Sequence, residues 1–118
     1  MGQEARQVAA AKNQALYREV NERVRSLNNG WTSEGDEIDF VCECADDGCA
    51  MPLTLSLEEY EDVREHSECF AVAAGHVYPE AEVVVRQNGR FTVVRKVGVA
   101  ALVAQAFDQR SRGRDGER

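Results

Sequence analysis

Three cysteines, Cys42, Cys44 and Cys49, fall within eight residues, and a fourth, Cys69, follows at a distance with two histidines, His66 and His76. Thiols and imidazoles grouped this way suit a single zinc ion, which accepts Cys and His in tetrahedral geometry and brings no redox chemistry of its own. Alternation along an extended segment puts Cys42 and Cys44 on one face, either side of Glu43, and the turn residues Asp46, Asp47 and Gly48 bring Cys49 round to them. A disulfide between Cys42 and Cys44 would close a very small, strained ring, so pairwise oxidation accounts poorly for the spacing. The N-terminal stretch MGQEARQVAAAKNQ lacks the apolar core of a secretory signal, which leads us to expect a cytoplasmic protein whose thiols are ligands or buried side chains.

A Cys-x-Cys arm with one further Cys is less specific than two Cys-x-x-Cys knuckles, and the fourth ligand has to come from far along the chain. Three residues compete for that position, ranked His76, then Cys69, then His66. His76 follows Gly75 in a turn ahead of Pro79, from which a side chain can point inward. Cys69 heads a short strand, where a small buried apolar side chain is the plainer reading, and His66 lies near the end of an acidic helix. A site of three thiolates and one imidazole is closed and electron-rich, which weakens the Lewis acidity of the ion and favours a structural role. With His76 free beside an open three-cysteine site, a thiol-based redox or metal sensor, or less readily a metal-dependent hydrolase, would come into view. The sequence holds no Gly-rich phosphate loop, Ser-His-Asp set or glycine-bracketed nucleophile, and Glu58, Glu59, Glu61 and Asp62 read as a solvated helix face rather than an acid and base pair. A protein that is not an enzyme is expected.

The elements that must position these residues can be read from periodicity. Leu16, Val20, Val24 and Leu27 recur at spacings of four and three within Glu4 to Leu27, the pattern of a long amphipathic helix, closed at Asn28-Asn29-Gly30. Ile38, Phe40 and Cys42 alternate with Asp39, Val41 and Glu43 as in a short strand that runs into the cysteine cluster. After Pro52, the residues Leu53, Leu55 and Leu57 read as an extended segment leading to a helix over Leu57 to Glu65. Ser56 and Glu59 form a capping-box pair at its start. Phe70 to Ala73 reads as a strand. Val83 to Val85 and Phe91 to Val94 read as a hairpin across Asn88-Gly89, the dipeptide suited to a two-residue type I′ turn. A shorter helix over Val99 to Phe107 precedes a polar tail, RSRGRDGER, expected to be disordered.

Charge is segregated along the chain. Glu34 to Glu82 carries fifteen acidic residues and one basic residue, Arg64, within a net charge of -7. A broad nucleic-acid surface needs clustered Lys and Arg, and the helix after the cysteines, LEEYEDVREH, is acidic, so DNA contact is not expected. Only Arg86, Arg90, Arg95, Lys96 and the Arg-rich tail could meet a phosphate backbone. The longest mostly apolar run, Val97 to Phe107, is too short to cross a bilayer.

The run FVCECADDGC, then LTLSLEEYEDVREHSECFAVAAGH, then PEAEVVVRQNGRFTVVRK, resembles a family of short, uncharacterised bacterial proteins, and LYREVNERV in the first helix extends the likeness over Leu16 to about Lys96. The resemblance implies His76 as the fourth ligand, because the Gly-His step belongs to the pattern and Cys69 does not. Ala74 departs from it, standing where the family more usually has Pro, and no activity is implied.

These readings converge on an α+β fold. A long N-terminal helix and linker (1–33) precede a zinc-stabilised domain with a small antiparallel sheet and one short helix (34–98), then a short helix and tail (99–118). One structural zinc ion on Cys42, Cys44, Cys49 and His76 would supplement a core poor in large side chains. The expected role is that of a regulatory or adaptor protein. It would bind another protein through the helix of Leu16 to Leu27 or the acidic surface of Glu58 to Glu68.

Overall fold

The computed structural model describes residues 2–110 and is α+β. Helix α1 (Gln3–Asn28) leads to β1 (Glu37–Val41), β2 (Pro52–Ser56), α2 (Leu57–Val63), β3 (Cys69–Val72), β4 (Glu82–Gln87), β5 (Thr92–Lys96) and α3 (Gly98–Ala106). The strands divide between two small antiparallel sheets rather than one. β1 and β2 form a hairpin pairing Ile38 with Leu55 and Val41 with Pro52, and the second sheet has the order β3-β5-β4.

Local sequence explains most of these boundaries. The capping box forms as expected: Ser56 Oγ accepts from Glu59 N, and Glu59 Oε1 accepts from Ser56 N, which satisfies two donors at the start of α2. After α1, the left-handed conformation falls on Gly30, at φ 88°, while Asn29 stays extended. The hairpin loop departs from expectation. Neither Asn88 nor Gly89 takes a positive φ, so the two-residue type I′ turn is not formed. Instead the loop spans 88–91 and closes on the Asn88 side chain, whose Oδ1 accepts from Arg90 N at 2.8 Å and Phe91 N at 3.0 Å, with Asn88 N donating to Phe91 O. Asparagine here shapes the turn through its amide rather than its tolerance of unusual backbone angles.

The core gathers Phe40, Leu55, Tyr60, Phe70, Val72 and Val94, with Phe40 and Tyr60 stacked at 4.6 Å between ring centroids. Helix α1 docks on this body with an unexpected face. Leu16 is 62% exposed and Leu27 72%, Val20 also faces solvent, and of the apolar stripe only Val24 packs against the core. The buried face instead carries Ala10, Ala11, Gln14, Ala15, Arg18 and Asn21. Small alanines let α3 approach closely, and the polar residues reach fixed partners. Arg18 donates to Ser67 O at 2.6 Å and Ala104 O at 2.8 Å and lies over the Phe70 ring.

Charged side chains tie the elements together. Lys96 and Glu82 form a fully buried pair at 2.9 Å with Gln14 beside them, and Arg64 pairs with Asp108 at 2.6 Å, linking the end of α2 to the end of α3. The acids of α2 are not simply solvated: Glu59 pairs with Arg90, Glu61 with Arg25 and Arg110, and Asp62 with Arg86. Arg110, the first residue of the expected disordered tail, is thus held in place by Glu22 and Glu61, while the rest of that tail lies outside the described residues. Among the described residues no helix is long and apolar enough to cross a membrane.

Candidate metal centre

The cysteine cluster is built where β1 runs out. Cys42 N donates to Met51 O at 2.9 Å, extending the β1–β2 ladder by one step, and the chain then turns away toward β3. There Glu43 N donates to Ala71 O at 2.8 Å and Ala71 N donates to Glu43 Oε1 at 3.0 Å, so this one residue bonds the knuckle to β3 through both its backbone and its side chain. Asp46 makes the next turn: its Oδ1 accepts from Gly48 N, its carbonyl accepts from Cys49 N, and Cys49 returns toward Cys42 and Cys44. His76 arrives from the far side. His76 N donates to Ala73 O at 3.0 Å across a turn whose third residue, Gly75, sits at φ 82°, a conformation that a side chain would strain.

These elements bring together the four residues singled out in the sequence. One ligand atom each from Cys42, Cys44, Cys49 and His76 lies within 4.8 Å of the others, close enough to hold a metal ion. His76 Nδ1 is 3.6 Å from both Cys42 Sγ and Cys49 Sγ. In a tetrahedron with zinc–sulfur bonds of about 2.3 Å and zinc–nitrogen bonds of about 2.05 Å, neighbouring sulfur and nitrogen atoms are about 3.5 to 3.6 Å apart. The donor set suits a tetrahedral ion, and these two sulfur–nitrogen separations match one. His76 turns Nδ1 toward two of the thiols, and of the three candidates for a fourth ligand it is the one that lies with the three cysteines. Cys69 and His66 lie elsewhere, lining a separate cavity of about 460 Å³ between α2 and the face of the three-stranded sheet. Among the described residues the group of Cys42, Cys44, Cys49 and His76 is the one arranged to hold a metal.

The environment of the thiols is uneven. Cys42 and Cys44 are buried, Cys49 is half-buried, and none of the four cysteines is in a disulfide. Ala73 N donates to Cys42 Sγ at 3.1 Å, a contact that suits a thiolate. Burial pushes the Cys42 and Cys44 thiols up, and for Cys42 the neighbouring Cys44 and Cys49 thiols add to it, against the hydrogen bond from Ala73. Glu43, fully buried between two of the cysteines, is likewise pushed up by burial, while hydrogen bonds from Asn21 and Ala71 pull the other way.

The residues that sequence reading missed are on α1. Asn13, Gln14, Tyr17 and Asn21 all bond to the segment that carries the cysteines. Gln14, Tyr17 and Asn21 are spaced by three and four residues on one helical face, with Asn13 at its edge, and an amide-rich stripe of that kind was the signal available.

Comparison with models of known protein families, with curated proteins and with solved structures finds no match for the chain.

Proposed function

We propose that this chain is a small zinc protein, with one ion held structurally by Cys42, Cys44, Cys49 and His76, which works as a regulatory or adaptor module by binding another protein. The observation that carries the zinc reading is His76 Nδ1 at 3.6 Å from two thiols, the separation a tetrahedral ion sets between its sulfur and nitrogen ligands. Three thiolates and an imidazole fill the four positions zinc prefers, which supports a structural rather than a hydrolytic role. The ion would fasten the end of β1 to the turn after β3, two segments far apart in sequence, so its binding energy would become folding energy.

The partner reading rests on α1. Its outward face carries Leu16, Val20 and Leu27, and Trp31 just beyond is 87% exposed. The acids of α2 are weaker candidates for a basic partner, since Glu59, Glu61 and Asp62 already face arginines of the same chain. Arg86 and Arg90 are correspondingly engaged, and Lys96 is buried, which counts against phosphate contact through the hairpin.

A redox or metal sensor is the second reading, and the greater exposure of Cys49 than of Cys42 or Cys44 favours it. Hydrogen peroxide would take two electrons from the Cys44 and Cys49 thiolates, giving a disulfide and, with two protons, two waters, and the ion would leave.

Metal content by mass spectrometry on protein purified without added metal tests the principal reading. One zinc per chain is expected in the wild type and little in Cys49→Ser or His76→Ala, with chelation abolishing the cooperative thermal transition. A metal-free wild type with unchanged thermal stability under chelation would overturn it.

A further inference from the structure

The buried face of α1 is unusual for a docking helix. It carries amides where apolar residues would stabilise packing: Asn13 and Asn21 point at the cysteine-bearing loop, and Gln14 is shared between that loop and the buried Lys96–Glu82 pair. Asn21 Nδ2 donates to Val41 O and to Glu43 Oε2, both at 2.8 Å, while Asn21 Oδ1 accepts from Val41 N. Gln14 Nε2 donates to Glu43 O at 3.0 Å and Asn13 Nδ2 to Ala45 O at 3.4 Å. The Tyr17 hydroxyl shares its proton between Asp46 O at 3.2 Å and Asp47 O at 2.9 Å.

The carbonyls so engaged belong to residues 41, 43, 45, 46 and 47. They bracket Cys42, bracket Cys44 and lead to Cys49. A loop that has left its ladder has backbone acceptors that must be satisfied, and water at a free surface would serve. Here one helix face supplies the donors at helical spacing, from Asn13 and Gln14 through Tyr17 to Asn21. Asn21 and Gln14 fix the peptide planes that lead into Cys42 and Cys44, and with them the directions in which those Cβ atoms leave the chain, while Asn13 and Tyr17 fix the turn that carries the chain on to Cys49. The opposite side of the same loop is fixed by β3 through Glu43 and Ala71.

We infer that Asn13, Gln14, Tyr17 and Asn21 are positioning residues of the metal centre, and that metal affinity and the docking of α1 are linked through them. This rests on the zinc reading above. Linkage is reciprocal: if the docked helix raises the affinity for the ion, the ion holds the helix down by the same free energy. Residues that orient ligands without touching the metal typically contribute about 10-fold to 100-fold in affinity.

The test is competition for zinc between the full-length protein and a chromophoric chelator. Asn21→Ala is expected to bind zinc about 10-fold to 100-fold more weakly than wild type, and Tyr17→Phe, which removes one hydroxyl from a partly exposed position, several-fold more weakly. Leu16→Ala, on the outer face of the same helix, should match wild type. Asp108→Asn, which weakens a buried ion pair away from the knuckle, sets the loss of zinc affinity that follows from lost stability alone, and Asn21→Ala and Tyr17→Phe should lose more affinity than Asp108→Asn for the same drop in thermal stability. That contrast separates positioning from general loss of stability. If Asn21→Ala does not fold, Tyr17→Phe decides. Wild-type affinity in Tyr17→Phe and in a folded Asn21→Ala would overturn the inference while leaving the zinc site standing. A wild type that takes up no zinc would overturn both.

Discussion

At the scale of single residues, the chain relies on polar groups placed where their partners are fixed, and Glu43 and Glu59 illustrate the two extremes. Glu43 is wholly buried, accepts from Asn21 and Ala71, and holds the knuckle to β3. Glu59 is near the surface, and the Arg90 guanidinium, together with the capping bonds from Ser56, holds its carboxyl down at about 2. Because the folded value lies below the ordinary one of 4.5, the stability this pair contributes is fully present above about pH 4.5 and is lost as pH falls toward 2. Glu59→Gln keeps the capping geometry and removes the charge. It should be less stable than wild type by about 1 kcal/mol or less at neutral pH, as for a largely exposed pair, and the difference in urea midpoint should close on acidification. A gap that stayed constant to pH 2 would contradict the assignment. The grouping of Cys42, Cys44, Cys49 and His76 was legible in the sequence at this scale because residue types that can ligate a metal stand out in a chain. Asn13, Gln14, Tyr17 and Asn21 were not, since amides on a helix carry no sign of which carbonyls they will meet.

At the scale of elements, the sequence located each helix and strand to within a few residues, because caps and alternation are local. Ser56 with Glu59 marked the start of α2, and the Val-rich segments marked β4 and β5. What it did not locate was the face on which α1 docks. The spacing of Leu16, Val20, Val24 and Leu27 is that of a core stripe, yet the side that packs is lined by alanines, Gln14, Arg18 and Asn21. Periodicity weighs side chains by hydrophobicity and is blind to a polar side chain whose partners are supplied by the fold. The energetic consequence runs opposite to the apolar pattern. Leu16→Ala should change stability by no more than about 0.5 kcal/mol, as for an exposed site. Arg18→Ala, which leaves the Ser67 and Ala104 carbonyls unpaired and uncovers the Phe70 ring, should cost about 3 kcal/mol or more. Chemical denaturation of the two variants checks this, and a larger loss in Leu16→Ala than in Arg18→Ala would contradict it. The loop at Asn88 shows the same limit on a smaller scale, where the residue type pointed to a turn but not to the side-chain bonds that make it.

At the scale of the whole molecule, the two small sheets and three helices of the described residues enclose a core with few large apolar side chains, supplemented by buried ion pairs and a four-residue cluster close enough to hold a metal. The buried pairs Lys96–Glu82 and Arg64–Asp108 specify which elements meet, since breaking either leaves a charge without its partner in the interior. The cluster does the same for β1, the knuckle and the turn at His76. A zinc ion there would connect α1, through the knuckle carbonyls, to the centre of the fold. X-ray absorption at the zinc edge on the protein as purified tests this account most directly. It predicts a shell of three sulfur atoms at about 2.3 Å and one nitrogen at about 2.0 Å, with no oxygen ligand. A shell with fewer than three sulfurs, or with a bound water oxygen in place of the imidazole, would contradict it.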